Sequence, residues 1–252
     1  MVAMSRFLPA TSFAAALIFA AIALPSLHAQ EQEDEDSGGD TNVGLPEAYA
    51  DFLISGSTLS PDKQFAVIYP KLEVCDAAED NLPKRCKDYL VALEPFQILA
   101  TVPTKYPYFE HRNHGYLSAS WTEDNSAMLL TLESKWGPAD VFLFELRDGK
   151  ASRSTSLLPK VRALFLPDYK AAKMGPVDES AFVIESPDEG NFAEFIDPTH
   201  VRINCMATSD PKGNPGHRVW EASLDGVWDV AQARFDSPKV KRTFDGIRKE
   251  ED

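Results

Sequence analysis

Residues 121–150 read WTEDNSAMLLTLESKWGPADVFLFELRDGK, and this stretch decides the fold. It begins with a polar turn, continues into the apolar run Met128–Leu132, and ends with the run Val141–Leu146, which leads into an Asp-Gly turn. Short runs of branched and aromatic residues bounded by Gly, Pro, Asp and Asn are typical of antiparallel strands. The stretch therefore predicts strands joined by tight turns.

Runs of the same kind occur on both sides of this stretch. Further strands are predicted at Phe65–Tyr69, Tyr89–Leu93, Ile98–Val102, Phe182–Glu185, Val201–Cys205, Val219–Ser223 and Trp228–Ala233. A helix is predicted at Leu157–Phe165, and Pro167 is expected to kink or end it before Asp168. Pro46–Leu53 is predicted to form a second, short helix. The pattern predicts a mainly β protein built as an antiparallel β-meander, with a β-sandwich as the alternative.

One turn layout is repeated along the chain. Ser60-Pro61-Asp62-Lys63 and Thr122-Glu123-Asp124-Asn125 each reverse the chain before an apolar strand; Ser186-Pro187-Asp188 is a third copy, and Leu224-Asp225-Gly226 is a fragment of another. The layout resembles the blade turn of TolB-like β-propellers, in which a Ser-Pro-Asp-Gly type turn links two strands and a later strand of alternating aromatics leads into an Asp-Gly turn.

This resemblance covers about a third of the chain and implies a propeller-like meander. Lys63 and Asn125 stand where the family's turn has glycine. The first residues of the three turns, Ser60, Thr122 and Ser186, lie 62 and 64 residues apart. A propeller blade needs about 40 to 50 residues. We therefore expect the propeller-like arrangement to be incomplete or irregular.

The two ends of the chain differ from its middle. Residues 1–29 carry Arg6 and the uncharged, alanine-rich run Phe13–Leu24, which predicts a signal peptide cleaved after Ala29 and a bacterial periplasmic location. Residues 30–43 are acidic and predict a disordered leader, and residues 246–252 predict a charged tail. Residues 44–245 are predicted to form a single β-rich domain. No transmembrane segment is predicted in the mature chain, because no later run approaches the required length of about 20 apolar residues.

The three cysteines all lie outside the predicted signal peptide. Cys75 and Cys86 are close in sequence and are predicted to form a disulfide, which an oxidising compartment would maintain. Cys205 lies in an apolar strand pattern and is predicted to be a buried free thiol.

Charge and motifs exclude several classes of function. The net charge of −14 argues against nucleic acid as a partner, because phosphate repels an acidic surface. The chain has neither the Gly-x-Ser-x-Gly elbow of hydrolases nor a phosphate-binding glycine loop. We therefore predict no catalytic residues, no cofactor and no metal ligands, which favours a noncatalytic protein.

The densest patch of functional side chains lies between Tyr106 and Tyr116. We predict that Tyr106, Tyr108, His111 and His114 form a binding lip, because loops on rigid β scaffolds commonly carry recognition. The two histidines are metal-ligand types, but their spacing matches no metal signature. Trp136 is the further binding candidate, because its Gly- and Pro-bounded loop would leave a large aromatic ring partly exposed.

Two functional hypotheses follow from these patterns. The first is a noncatalytic extracytoplasmic interaction module whose partner is another extracytoplasmic protein. The alternative is a small extracytoplasmic hydrolase with a nonstandard site around His111 and His114.

Overall fold

The computed structural model describes residues 39–75, 86–104, 108, 115–178, 180–187 and 191–249, with only the backbone described at residues 74 and 75. The predicted signal peptide and most of the acidic leader lie outside these residues, so both stay predictions. The domain boundaries at residues 44 and 245 also stay predictions.

The described elements are almost all strands. They are β1 (Phe52–Ile54), β2 (Phe65–Pro70), α1 (Leu72–Cys75), β3 (Tyr89–Leu93), β4 (Phe96–Thr101), β5 (Leu117–Trp121), β6 (Ala127–Ser134), β7 (Gly137–Arg147), β8 (Lys150–Ser156), α2 (Leu158–Ala172), β9 (Val183–Glu185), β10 (Ala193–Asp197), β11 (His200–Thr208), β12 (Arg218–Asp229) and β13 (Arg234–Ile247). Short 3-10 turns occupy Glu47–Tyr49 and Gly56–Thr58. The expectation of a mainly β protein is confirmed.

The strands form three antiparallel sheets that follow one another along the chain. The first sheet has the order β1-β2-β3-β4, and the second has the order β5-β6-β7-β8. The third has the order β10-β11-β12-β13, with β9 pairing along β11 as well. Within the described residues none of these sheets closes on itself, and consecutive strands are neighbours throughout the first two. This connectivity agrees with the predicted antiparallel β-meander.

The second sheet contributes to two cores. Met128, Leu130 and Phe144 pack with residues of the first sheet such as Val67 and Leu90. The alternate residues of β6 and β7 point the other way, and they pack with α2 and the third sheet; these are Ala127, Leu129, Val141 and Leu143. Because successive side chains of a strand point to opposite faces, one apolar run can serve both cores. The central strands of the second sheet, β6 and β7, are therefore buried on both faces.

Helix α2 carries an apolar stripe. Val161, Phe165 and Tyr169 are buried at four-residue spacing, which places them on one face of the helix. The prediction that Pro167 ends or kinks the helix before Asp168 is wrong in its first part, because the helix continues to Ala172. Pro167 lies on the exposed face, so water can hydrogen-bond the Ala163 carbonyl that proline leaves without an N–H donor, and packing of Tyr169 and Ala172 keeps the last turn helical.

The repeated turns have matching hydrogen bonds. Ser60 Oγ accepts the backbone N–H groups of Gln64 and Phe65, at 3.1 and 3.0 Å. In the second copy, Thr122 Oγ1 accepts the backbone N–H of Ala127 at 2.9 Å. Lys63 and Asn125 both have positive φ, 58° and 56°, the left-handed conformation that glycine adopts most readily. The two turns therefore share one backbone design.

Three other local predictions are wrong. Pro46–Leu53 forms only a single 3-10 turn, and its last two residues begin β1. The expected Asp225-Gly226 turn lies inside the continuous strand β12, where a bulge in the pairing with β13 accommodates it. The predicted strand Trp228–Ala233 ends at Asp229, and the following residues form the turn into β13. In the third copy of the repeated turn, Asp188 lies outside the described residues.

The described cysteines occupy different environments. Cys205 is a buried free thiol, as predicted, and burial raises its pKa. Cys86 is also buried. The Cys75 side chain lies outside the described residues, so the predicted Cys75–Cys86 bridge stays a prediction.

Candidate functional site

The structure describes one residue of the predicted binding lip. Tyr106, His111 and His114 lie outside the described residues, so their roles stay predictions. Tyr108 is half-buried, and its ring packs edge-on against Tyr69 with the ring centroids 4.9 Å apart. Tyr108 therefore contributes to the core between the first two sheets.

A buried carboxyl group anchors the chain at Tyr108. The Tyr108 backbone N–H donates to Asp88 Oδ2 at 2.7 Å, and the Val102 N–H donates to the Asp88 carbonyl at 2.9 Å. Asp88 Oδ1 has no hydrogen-bond partner within the described parts of the chain. Burial raises the pKa of Asp88 to about 8, although the Tyr108 N–H opposes the shift. Asp88 is therefore mostly protonated at neutral pH.

Trp136 lies where the sequence places it, in the turn between β6 and β7. Its side chain is 38% exposed, and the Lys135 ammonium lies 4.8 Å from its ring centroid. The Ser134 hydroxyl donates to the Gly137 carbonyl at 2.7 Å and closes the turn. The binding role of Trp136 stays a prediction.

A cleft of about 460 Å³ lies between the second and third sheets, where β5 approaches β10. It is lined by Tyr116, Ser118, Ala119, Ser120, Trp121, Leu129, Thr131, Glu133, Ser186, Asn191, Phe192, Ala193, Glu194 and Phe195. We call it the β5–β10 cleft. Its volume lies within the usual range of ligand-binding clefts, about 300–1,000 Å³.

Two aromatic residues that line the β5–β10 cleft, Trp121 and Tyr116, lie in different environments. The Trp121 indole N–H donates to the Thr58 carbonyl at 3.0 Å, and the ring stacks on Phe65 with centroids 5.8 Å apart. Tyr116 is 56% exposed at the same cleft. The exposed Tyr116 phenol offers a ligand a flat contact surface at this cleft, whereas the Trp121 ring packs with the first-sheet core.

Two carboxylates also line this cleft. Glu194 pairs with Arg202 at 3.0 Å, and both side chains are about half exposed. Glu133 is half-buried and has no ion-pair partner within the described parts of the chain, and burial raises its pKa. Burial and the nearby Glu133 charge raise the pKa of Tyr116. Among the described residues, the lining has these two carboxylates and no lysine, arginine or histidine, so this part of the cleft is acidic.

Both strands at the cleft are sheet edges. In the described part of the chain, β5 has β6 as its strand partner, and β10 has β11. An edge strand leaves part of its backbone N–H and C=O groups outside the ladder, where an added strand can pair with them. The cleft thus combines the exposed Tyr116 ring, a carboxylate without an ion-pair partner in the described chain, and edge-strand backbone.

The sequence pointed to only part of this site. Tyr116 ends the predicted patch, whereas Glu133 belongs to no motif of the sequence. Trp121 and Phe195 are separated by more than seventy residues, so no local pattern links them. The short strand Leu117–Trp121 is rich in Ser and Ala and has no β-branched residue, so residue preferences do not predict it as a strand.

The sequence was compared with protein-family models and with curated proteins. No protein-family model matches this sequence, and no curated protein shows a significant match to it. Within the described residues, no helix is long and apolar enough to cross a membrane.

Proposed function

We propose that this protein is a noncatalytic binding module of the bacterial periplasm, whose β5–β10 cleft accepts an extended, cationic segment of another extracytoplasmic protein. The observation that carries the proposal is the half-buried Glu133, which has no ion-pair partner in the described chain and lines the cleft together with the exposed Tyr116. A carboxylate in such surroundings favours a positively charged partner group, because a ligand cation supplies the missing counter-charge.

The shape of the cleft supports an extended partner segment. Edge strands recognise extended peptides through backbone hydrogen bonds, while pockets between them select alternate side chains. The net charge of −14 also favours a basic ligand by long-range attraction. Stacking of the guanidinium of an arginine on the exposed Tyr116 ring would add a cation–π contact.

The export of the protein and the propeller-like arrangement are parts of the same proposal. Residues 1–29 support export by their signal-peptide pattern. Three successive open antiparallel sheets and the matching turns at Ser60 and Thr122 support an incomplete propeller-like meander. The hydrolase alternative gains no support, because His111 and His114 lie outside the described residues.

The test is peptide selection on the purified protein from a random display library, followed by fluorescence anisotropy with the enriched peptides. We expect the enriched peptides to contain Lys or Arg and to bind less tightly as salt concentration rises. Glu133→Gln should weaken binding about 10-fold or more, because a charge-assisted hydrogen bond contributes about 1.5–3 kcal/mol. Tyr116→Ala should weaken binding as well.

Two variants serve as controls. Glu123→Gln removes an equivalent charge from the exposed Thr122 turn, outside the cleft, and should leave affinity unchanged. Trp136→Ala distinguishes the cleft from the predicted binding role of the β6–β7 turn. Enrichment of peptides without basic residues, or equal affinity for the wild type and Glu133→Gln, would contradict the proposal.

A further inference from the structure

Three potential metal ligands meet at one end of the third sheet, away from the β5–β10 cleft lining. His200 is the first residue of β11, and the strand register places it opposite Asp229, the last residue of β12. Asp236 lies near the start of β13, the strand that pairs with β12. One potential ligand atom from each of the three side chains lies within 4.8 Å of the other two. Antiparallel pairing therefore brings one imidazole and two carboxylates together.

Among the described residues, the buried carboxylate of this cluster has no lysine or arginine partner. Asp229 is only 7% exposed, and its two oxygens accept the backbone and side-chain N–H groups of Gln232, each at 2.8 Å. These donors are neutral, and the ion pairs of the described residues do not include Asp229. Each carboxylate oxygen keeps a free lone pair after accepting one bond. Because buried charges are ordinarily paired or bound to a metal, Asp229 points to a cation.

The imidazole is held in an orientation suited to metal binding. His200 Nδ1 lies 3.0 Å from both oxygens of Asp197, and Asp197 is itself fixed by the Thr199 backbone N–H and hydroxyl, each at 2.7 Å. With Nδ1 donating to Asp197, Nε2 is left as the acceptor nitrogen. Metal-bound histidines almost always donate their second ring N–H to a carboxylate or carbonyl in this way.

We propose that His200, Asp229 and Asp236 bind a divalent transition-metal ion, with Zn²⁺ as the expected occupant and Asp197 as the residue that positions the imidazole. One imidazole nitrogen and two carboxylate oxygens form a ligand set that Zn²⁺ accepts, with water completing its four-coordinate shell. A bound ion would tie the ends of β11, β12 and β13 together. This site is independent of the proposed peptide-binding function.

The test uses the full chain, freed of metal by chelation and titrated with ZnCl2 in a calorimeter. We expect one equivalent of Zn²⁺ to bind with micromolar or tighter affinity and to raise the melting temperature. Co²⁺ in place of Zn²⁺ should give the visible absorption of a nitrogen- and oxygen-coordinated ion.

Variants assign the binding to these side chains. Asp236→Asn changes an exposed residue and should leave folding intact while weakening Zn²⁺ binding at least 10-fold; His200→Ala should do the same and alter the Co²⁺ spectrum. Asp197→Asn, which affects the imidazole only indirectly, should weaken binding by a smaller factor. His217→Ala, at an exposed histidine outside the cluster, should bind as the wild type does.

Either of two results would overturn the proposal. The first is absence of binding heat and of a melting-temperature change at millimolar ZnCl2. The second is unchanged stoichiometry and affinity in both Asp236→Asn and His200→Ala, which would place the ion elsewhere on the chain. Peptide binding by the β5–β10 cleft is measured in the presence of a chelator, so failure of one proposal is distinguished from failure of the other.

Discussion

The second and third sheets bury their strands in different ways. Strands β6 and β7 of the second sheet contribute side chains to a core on each face. In the third sheet, Val201 and Ile203 point into the core, whereas Arg202 and Asn204 between them are exposed. Strands that are covered on both faces need continuous apolar runs. Strands with one solvent-exposed face need apolar and polar residues in alternation. The comparison explains why the strands of the second sheet are easier to predict from the sequence than those of the third.

The third sheet adds polar contacts where it meets α2. Asp168 on the helix accepts the Trp220 indole N–H at 2.7 Å and the Arg242 Nε–H at 2.9 Å. Arg218 donates to the Ala172 carbonyl at the end of the helix. The second sheet contributes apolar side chains such as Val141 and Leu143 to the core that contains α2, whereas the third sheet adds charged contacts with the helix. Three substitution pairs test this contrast.

The largest effect is expected from truncating an aromatic residue in each sheet. Phe144 on β7 is fully buried, and Phe244 on β13 is partly exposed. Phe144→Ala should lower the free energy of unfolding by about 3–5 kcal/mol, because it removes buried surface and leaves a cavity. Phe244→Ala should cost about 1 kcal/mol, since less surface is lost and water can fill the space. Urea unfolding monitored by circular dichroism measures both, and equal losses would contradict the contrast.

An intermediate effect is expected at the polar contact between α2 and the third sheet. Asp168→Asn should cost about 1–2 kcal/mol at pH 7, because it weakens the contact with Arg242 but keeps an acceptor for Trp220. The hydrogen bond from Arg242 lowers the pKa of Asp168, so the carboxylate stabilises the fold above its unfolded pKa of about 4. That contribution is lost as the pH falls through the lower, folded pKa.

The measurement is urea unfolding of the wild type and Asp168→Asn at pH 7 and at acidic pH. The difference between the two proteins should shrink on acidification. Asp225→Asn, on the exposed face of the third sheet, is the matched control and should change stability by less than about 0.5 kcal/mol. A difference that persists in acid would show that packing, not charge, carries the effect.

The smallest effect is expected at two turn residues with positive φ. Ala233 follows β12 with φ of 51°, and Asn125 precedes β6 with φ of 56°. Alanine pays a steric penalty in this conformation, whereas asparagine tolerates it. Ala233→Gly should therefore raise the melting temperature by an amount equivalent to about 0.5–1 kcal/mol, and Asn125→Gly should change it little. Destabilisation by Ala233→Gly would mean that its methyl contact with the core outweighs the backbone penalty.

The same contrast explains how much of the fold the sequence could predict. The prediction for β3 matches the structure, Tyr89–Leu93, because its run of apolar residues is short and compact and the branched Leu90 and Val91 within it are buried. Strand β13 was missed because exposed charged residues alternate along it and Pro238 interrupts it. Strand β12 was divided because Asp225-Gly226 resembles a turn. Gly226 instead lies close to the Phe235 ring: a Cβ at this position would lie 3.3 Å from a ring carbon. Tertiary packing therefore overrides the local preference of Asp-Gly for a turn.

The candidate site was harder to predict than the fold. Tyr116 fell within a patch selected for its side-chain types, but the β5–β10 cleft exists only because two edge strands distant in sequence approach each other. The His200 cluster depends on strand register across three strands, which a single sequence does not specify. Local patterns therefore identified strands and turns, while both proposed sites arise from long-range pairing.

The buried Asp88 makes folding a reaction that consumes a proton. Between about pH 4 and pH 8 the unfolded chain carries Asp88 as a carboxylate, whereas the folded chain holds it protonated. Each folding event at neutral pH therefore takes one hydrogen ion from the solvent, and unfolding returns it. By linkage, this residue makes the folded state less stable by about 1.4 kcal/mol for each pH unit of increase across that interval. Through this one buried carboxyl group, the pH of the surroundings changes the fraction of molecules that are folded.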